Sequence, residues 1–227
     1  MGWAFFSFIF TSAWFNIKSV EIDGNSYLSS NSIIKYGEID FNTNIFHFNI
    51  KKANQNLLSN PWIKEVNIRK KLPNKLEIAL IERKPANIVI YNDLFYLISQ
   101  EGIILSILEN YNNELGLYII SGLNLEYKKE GESIFGSLYQ EIQNIIYALD
   151  NVFPKQFYKI KMVAEDEFLL YHRISEIIVR IENGDRLINE WYLLERALQR
   201  VIQEKIPIEE INMKYRDRLS IILKEEL

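Results

Sequence analysis

Residues 1–15 (MGWAFFSFIFTSAWF) contain no ionisable side chain, and the first charge along the chain is Lys18. So much apolar surface without a charge calls for lipid, a translocon or a protein core rather than water. As a helix rising about 1.5 Å per residue the run reaches roughly 22 to 25 Å, short of a hydrocarbon core of about 30 Å. Trp3 and Trp14 stand near its ends, where amphipathic rings favour the membrane interface. A secretory signal competes, but it would need a basic leading segment and an A-x-A-like site. A buried core helix competes as well. The expectation is a membrane anchor over residues 1–16, cut short if translation starts upstream of Met1. Without a basic tail on its far side, charge gives no reading of its orientation.

The 227 residues are 48% hydrophobic, 25% charged and 13% aromatic, enough for one large core or two small ones. A net charge of −4 provides no basic field for a phosphate backbone, which argues against a nucleic-acid binder. The absence of cysteine excludes thiol catalysis, disulfides and thiolate zinc sites. The two histidines, His47 and His172, are too few and too far apart for a histidine metal cluster and read as surface or satisfied core residues. The phosphate-loop, dinucleotide-fold and H-E-x-x-H patterns do not occur. Gly131-Glu132-Ser133-Ile134-Phe135-Gly136 is one residue too long for a G-x-S-x-G elbow, so Ser133 reads as a helix cap. The acidic trio Glu165, Asp166 and Glu167 reads as an exposed turn.

Behind the apolar run the punctuation is regular. Val20 and Ile22 share one face of a strand that ends at Gly24-Asn25. Ser29 or Ser30 caps a short helix bearing Ile33 and Ile34, with Gly37 suited to a left-handed C-terminal position. A second helix over 50–59 is closed by Pro61. Trp62, Val66 and Ile68 alternate as the inward face of a strand, with Ile63 out of phase. Leu72-Pro73-Asn74 turns the chain into a second strand in which Leu76, Ile78 and Leu80 alternate. The order is strand, helix, helix, strand, strand. Arg69, Lys70, Lys71 and Lys75 cluster at the hairpin tip, as a solvated tip or as a contact for anionic headgroups.

The runs V-E-I-D-G-N at 20–25, N-I-F at 44–46, N-P-W-I-K-E-V at 60–66, L-P-N-K-L-E-I at 72–78 and E-R-K-P-A at 82–86 resemble, in order, the POTRA domain of the FtsQ/DivIB bacterial cell-division proteins. Each run alone is weak, and the ordered set behind an apolar segment is specific. The resemblance implies an α+β fold with an anchor helix at 1–16, a βααββ POTRA domain at 17–84 and a mixed sheet-and-helix β-domain at 85–227.

Within 85–227, Ile88–Tyr91 and Phe95–Ile98 flank Asn92-Asp93 as a hairpin, and Gly102 breaks the chain before Ile103–Leu105. Helical spacing over 133–150 predicts an amphipathic helix. Strands are expected at 157–163, 168–171 and 177–181, a helix over 190–205, and a last strand over 212–223 interrupted at Arg216-Asp217-Arg218. Asn212, Met213, Lys214 and Tyr215 stand where the family has D-x-R-Y, so only Tyr215 matches a polar position directly.

With no reactive constellation in view, the chain is expected to work by binding, since an open sheet edge accepts an added strand. The resemblance implies a non-enzymatic, single-pass protein of the cytoplasmic membrane. Its large domain would lie outside the cytoplasm at the division septum. It would hold FtsB/FtsL-like partners, link early and late division proteins and help control septal peptidoglycan synthesis, without cofactor, nucleic acid or small-molecule substrate. The expected partner site is Tyr215, Arg218, Leu219, Ser220, Ile221, Ile222 and Leu223, with Leu76, Ile78 and Leu80 as a POTRA-domain edge. A POTRA module of an outer-membrane assembly or secretion system and a cell-wall enzyme stay as other readings.

Overall fold

The computed structural model of the chain describes residues 10–112, 114–126, 128–215 and 218–224, in two compact units, Met1–Lys84 and Pro85–Leu227. Most of the expected anchor therefore lies outside the described residues. Its described end is a short 3₁₀ turn at Ala13–Phe15 capped by Ser12. Among the described residues no helix is long and apolar enough to cross a membrane.

The first unit runs β1 (Ser19–Asp23), α1 (Ser30–Tyr36), α2 (Ile50–Leu58), β2 (Ile63–Lys71) and β3 (Lys75–Glu82). Two helices between β1 and β2 give the chain room for a crossover, so β1 lies parallel to β3 while the short turn makes β2 and β3 antiparallel. The sheet order is β1-β3-β2. Ser29 caps α1 by accepting from the Ser32 N–H. Gly37 is not left-handed, the residue with positive φ being Glu38; Gly37 instead sits where a Cβ would press on Ile33 and Ile39.

Two side-chain assignments are corrected. Ile63 is fully buried and Trp62 only partly, stacked at a tilt on Tyr27 rather than filling the core. The reason is a register shift between Ile63 and Glu65, which brings Ile63 onto the same face as Val66 and Ile68. Leu76, Ile78 and Leu80 are buried on β3, the central strand of the sheet, so they form the core and not an edge. Their alternation is a correct sign of a strand with one buried face, but alternation carries no information on which neighbours the strand acquires.

The second unit carries β4 (Pro85–Tyr91), β5 (Leu94–Ser99), β6 (Ile104–Leu108), β7 (Tyr118–Ser121), α3 (Ser137–Val152), β8 (Phe157–Ala164), β9 (Glu167–His172), β10 (Ile178–Ile181), α4 (Gly184–Glu204), β11 (Ile208–Asn212) and β12 (Ser220–Leu223). They form one sheet in the order β12-β11-β10-β9-β8-β7-β4-β5-β6. Asn92 and Asp93 both have positive φ, as a two-residue primed turn between β4 and β5 demands. α3 and α4 are the crossovers that make β7 parallel to β8 and β10 parallel to β11. Ile142, Ile145 and Leu149 of α3 join Leu187, Leu194 and Leu198 of α4 and the inward side chains Ile120, Ile160, Leu170, Val179 and Ile211 in one core.

Three boundaries differ from expectation. α4 begins at Gly184, six residues early, since a first segment from Gly184 runs into the expected helix across a kink at Glu190, whose dihedrals are not helical. α3 begins at Ser137 with Gly136 as its cap, and Ser133 instead bridges to Ile103 and accepts from the Phe135 N–H. Of the strand expected over 212–223, Ser220–Leu223 forms β12 and Asn212 ends β11, while β7 and the rest of β11 have no counterpart in the expectation.

Candidate partner-binding edge

The nine-stranded sheet ends in β12 on one side and β6 on the other. The edge at β6 is covered. The Ile104 N–H donates to the Glu132 carbonyl, the Gly131 N–H donates to the Ile104 carbonyl, and the Glu130 carboxylate takes the Ile107 N–H at 3.0 Å. A side-chain carboxylate seated on an edge donor closes it to an incoming strand. At β12, among the described residues, no backbone group pairs with the outer side, and all four side chains are exposed.

The register states which groups β12 offers. Asn212 opposes Ser220, Ile211 opposes Ile221, and Glu210 opposes Ile222. Beyond the strand the Lys224 N–H donates inward to the Pro207 carbonyl at 2.9 Å. Because successive N–H groups of a strand alternate, Ile222 and Ser220 also point theirs toward β11, and Ile221 and Leu223 point theirs outward. Directly opposed residues share a face, so Ile221 lies on the helix-bearing face beside Ile211 and Ile222 lies beside Glu210 on the other.

The residues between the two strands hold β12 in place. Met213 is fully buried, and its N–H donates to the Arg180 carbonyl at 2.9 Å. Asn212 Oδ1 accepts the Lys214 N–H at 2.8 Å, while the Lys214 carbonyl accepts from the Arg186 guanidinium. The Lys214 ammonium lies 2.6 Å from the Glu167 carboxylate. Glu167 also pairs with Arg180, whose Nε and Nη2 bind Glu210 in a two-point contact at 2.6 and 2.7 Å. Hydrogen bonds from Lys214 and then Arg180 hold the Glu167 carboxyl below the usual carboxylate range. Its hydrogen bond to Glu210 raises the Arg180 guanidinium, and Glu167 raises the Lys214 ammonium. Where the family motif has Asp and Arg, Asn212 and Lys214 thus still form a turn lock and an ion pair, the latter with a residue 47 positions upstream. Glu167 is therefore more than the exposed acidic turn expected of it.

The expected site residues divide accordingly. Tyr215 is half-exposed with the Arg218 guanidinium 5.2 Å from its ring centre, and Ser220, Ile221, Ile222 and Leu223 are exposed on the free edge. Leu219 instead packs against the core. Leu76, Ile78 and Leu80 lie buried in the first unit. The spacing reading missed Glu167, Arg180, Arg186 and Glu210. Glu167, Arg180 and Glu210 are isolated or adjacent charges on three different strands and Arg186 lies on α4, so their pairing is not written in any one element.

Residues 15–83 match the family model for the FtsQ-type POTRA domain. The chain is 31% identical over 223 residues to the cell division protein DivIB of Clostridium tetani, covering 95% of this chain and 82% of that protein. It is 32% identical over 121 residues to DivIB of Clostridium acetobutylicum, over 53% of this chain and 48% of the relative. To the cell division protein FtsQ of Syntrophotalea carbinolica it is 26% identical over 183 residues, 78% of this chain and 63% of the relative. The βααββ unit occupies the residues of the family-model match and, at 31% identity over 95% of its length, the chain belongs to the FtsQ/DivIB family of bacterial cell-division proteins.

Proposed function

We propose that this protein is a division scaffold without chemistry of its own, which captures an extended segment of an FtsB/FtsL-like partner as an added strand on β12. The observation that carries the reading is the contrast between the two ends of the sheet: β6 is closed by Glu130 and the 131–133 backbone, and β12 offers the outward donors of Ile221 and Leu223. Backbone pairing would supply much of the affinity, and Ile221, Ile222 and the half-exposed Tyr215 would supply the side-chain contacts on either face. The division role of the relatives supports this over an outer-membrane assembly module or a cell-wall enzyme. The charge-free run at 1–15 fits a retained anchor in the cytoplasmic membrane, with both described units on its outer side at the septum.

The test uses the full chain in detergent micelles and calorimetry with the soluble part of a cognate FtsB-like protein. Ile221→Pro removes an outward donor while sparing the ladder to β11. It is expected to weaken capture at least about tenfold, the equivalent of one hydrogen bond plus the clash of the ring with an incoming strand. Undiminished affinity in a folded Ile221→Pro protein would place the partner elsewhere.

A further inference from the structure

The end of the first unit at which β1 starts and β2 turns into β3 collects apolar and cationic side chains from three separate stretches. The Lys18 N–H donates to the Asn74 carbonyl at 2.8 Å, and the Asn74 side-chain amide donates to the Trp14 carbonyl at 3.3 Å, which ties the 10–18 segment to the hairpin turn. The 40–47 loop joins them: Ile17 N–H donates to the Thr43 carbonyl, Ile45 N–H to the Phe15 carbonyl, and the Phe10 ring stacks on His47. On this pole Trp14 is 63% exposed and Leu72 62%, and Phe41 is also exposed. Neither large side chain is needed by the core, since the apolar cluster of this unit closes without them.

Cations surround these apolar tips. The Lys18 ammonium lies 5.8 Å from the centre of the Trp14 ring, and Lys70 Nζ lies 3.5 Å from the Phe46 carbonyl. Lys71 pairs with Glu77 and Lys75 with Glu21, while Asp40 accepts from Asn42. Among the described residues Lys18 and Lys70 have no carboxylate within ion-pair reach. The charge-free run of residues 1–15 leads into this same pole. An exposed leucine and tryptophan at the pole that also carries Lys18 and Lys70, two lysines without a carboxylate partner among the described residues, suit the boundary between acyl chains and headgroups, where rings and alkyl tips enter and ammonium groups stay at the phosphates.

We propose that this pole seats against a bilayer surface bearing anionic headgroups, with Leu72 and Trp14 entering the interface and Lys18 and Lys70 meeting the lipid phosphates. The proposal rests on the reading of residues 1–16 as a membrane anchor, because an anchor there would bring the pole to the surface. A second, peripheral contact would then hold the hairpin tip at the bilayer and limit how far the first unit can tilt away from it.

The chain has no cysteine, so single labels are unambiguous. Full-length Leu72→Cys and Ser26→Cys proteins, each carrying a nitroxide label, are reconstituted into phosphatidylcholine vesicles with and without phosphatidylglycerol. Collision with a water-soluble nickel complex reads exposure, and carbonate extraction of the same vesicles reads the anchor. The label at 72 is expected to be shielded in the anionic vesicles and the label at 26, at the far end of β1, to remain accessible. Lys18→Gln with Lys70→Gln is expected to lower the shielded-to-exposed ratio at 72 by about tenfold. Accessibility at 72 equal to that at 26 in protein that carbonate retains would overturn the proposal and leave the anchor standing. Shielding at 72 in protein that carbonate releases would support the pole and remove the anchor. Equal shielding at 72 with and without phosphatidylglycerol would overturn the assignment to anionic headgroups.

Discussion

Glu82 is nearly enclosed, and its carboxylate accepts the backbone N–H groups of Ser26, Tyr27 and Leu28 at 2.7 to 2.8 Å. This fixes the loop after Gly24, a residue with φ of 91° at which a Cβ would lie 1.9 Å from the Leu80 carbonyl oxygen. Glu82→Gln places an amide donor among those three donors. It should raise the hydrogen-exchange rates of Ser26 to Leu28 by about 10- to 100-fold, the range set by orphaned buried donors. Ile63→Ala should cost about 2 to 5 kcal/mol, a cavity in the core, and Trp62→Ala only about 1 kcal/mol, because Trp62 leans on Tyr27 outside it. Protection of the β1 and β3 amides ranks the two, and equal losses would refute the placement of Trp62. His172 is buried, with Nδ1 2.8 Å from the Ser175 hydroxyl, and burial pushes its imidazole below the usual value of 6.5. A depressed folded pKa means that the unfolded chain takes up the proton first, so stability of the second unit is fully present above pH 6.5 and declines as the pH falls below it. Denaturation midpoints at pH 7.5 and 5.5 should differ more for the wild type than for His172→Gln. Glu167 acts in the same direction but in a separate window, its contribution being present above 4.5 and lost as the pH falls further.

At the level of the element, β12 is short, exposed and held by one neighbour, and its position depends on the lock between β11 and Tyr215. Ile221→Pro and Ile222→Pro differ by one residue, yet only the second takes a donor from the ladder with β11. The first should preserve exchange protection on β11 while partner capture falls. The second should lose β11 protection and capture together. The opposite order, with β11 protection lost in Ile221→Pro and kept in Ile222→Pro, would show that the outward and inward assignment of the donors is reversed. Arg180→Ala should leave Glu210 and Glu167 without their shared partner and loosen the same strand from its other side. A strand with alternating apolar residues reads as a strand from sequence. Whether it is central, as β3 is, or terminal, as β12 is, depends on pairing with residues tens of positions away.

For the molecule as a whole, the proposed arrangement is an anchor followed by two units on the outer side of the membrane, each with its own core. Protease added to spheroplasts should digest the chain beyond residue 25 while alkaline carbonate leaves the protein in the membrane pellet. Clean release by carbonate, or a mature protein that starts near Asn16, would show that the apolar run is not retained. Deleting residues 218–227 should abolish capture of an FtsB-like partner while membrane retention and the exchange protection of β1 to β3 persist, since the core and the sheet of the first unit are built from its own residues.

Local rules were enough for the βααββ unit. Gly24, Pro61 and Pro73 punctuate it, and Ile33, Leu57, Leu76 and Ile78 repeat with the periods of helix and strand, signals that act over a few residues and survive any packing. The same rules identified the terminal segment as strand-forming. Four matters were decided only by the tertiary structure. A bulge near Ile63 put that residue, in place of Trp62, on the inward face of β2, a first segment before a kink at Glu190 extended α4 back to Gly184, and the crossovers of α3 and α4 put β12 at a sheet edge. The fourth is the lock of Glu167, Arg180, Arg186 and Glu210 around residues 212–214, whose members lie on three strands and a helix. Period and propensity describe how a residue relates to its chain neighbours. An edge, a bulge and a cross-strand ion pair are relations between distant segments, and they exist only once the chain has folded.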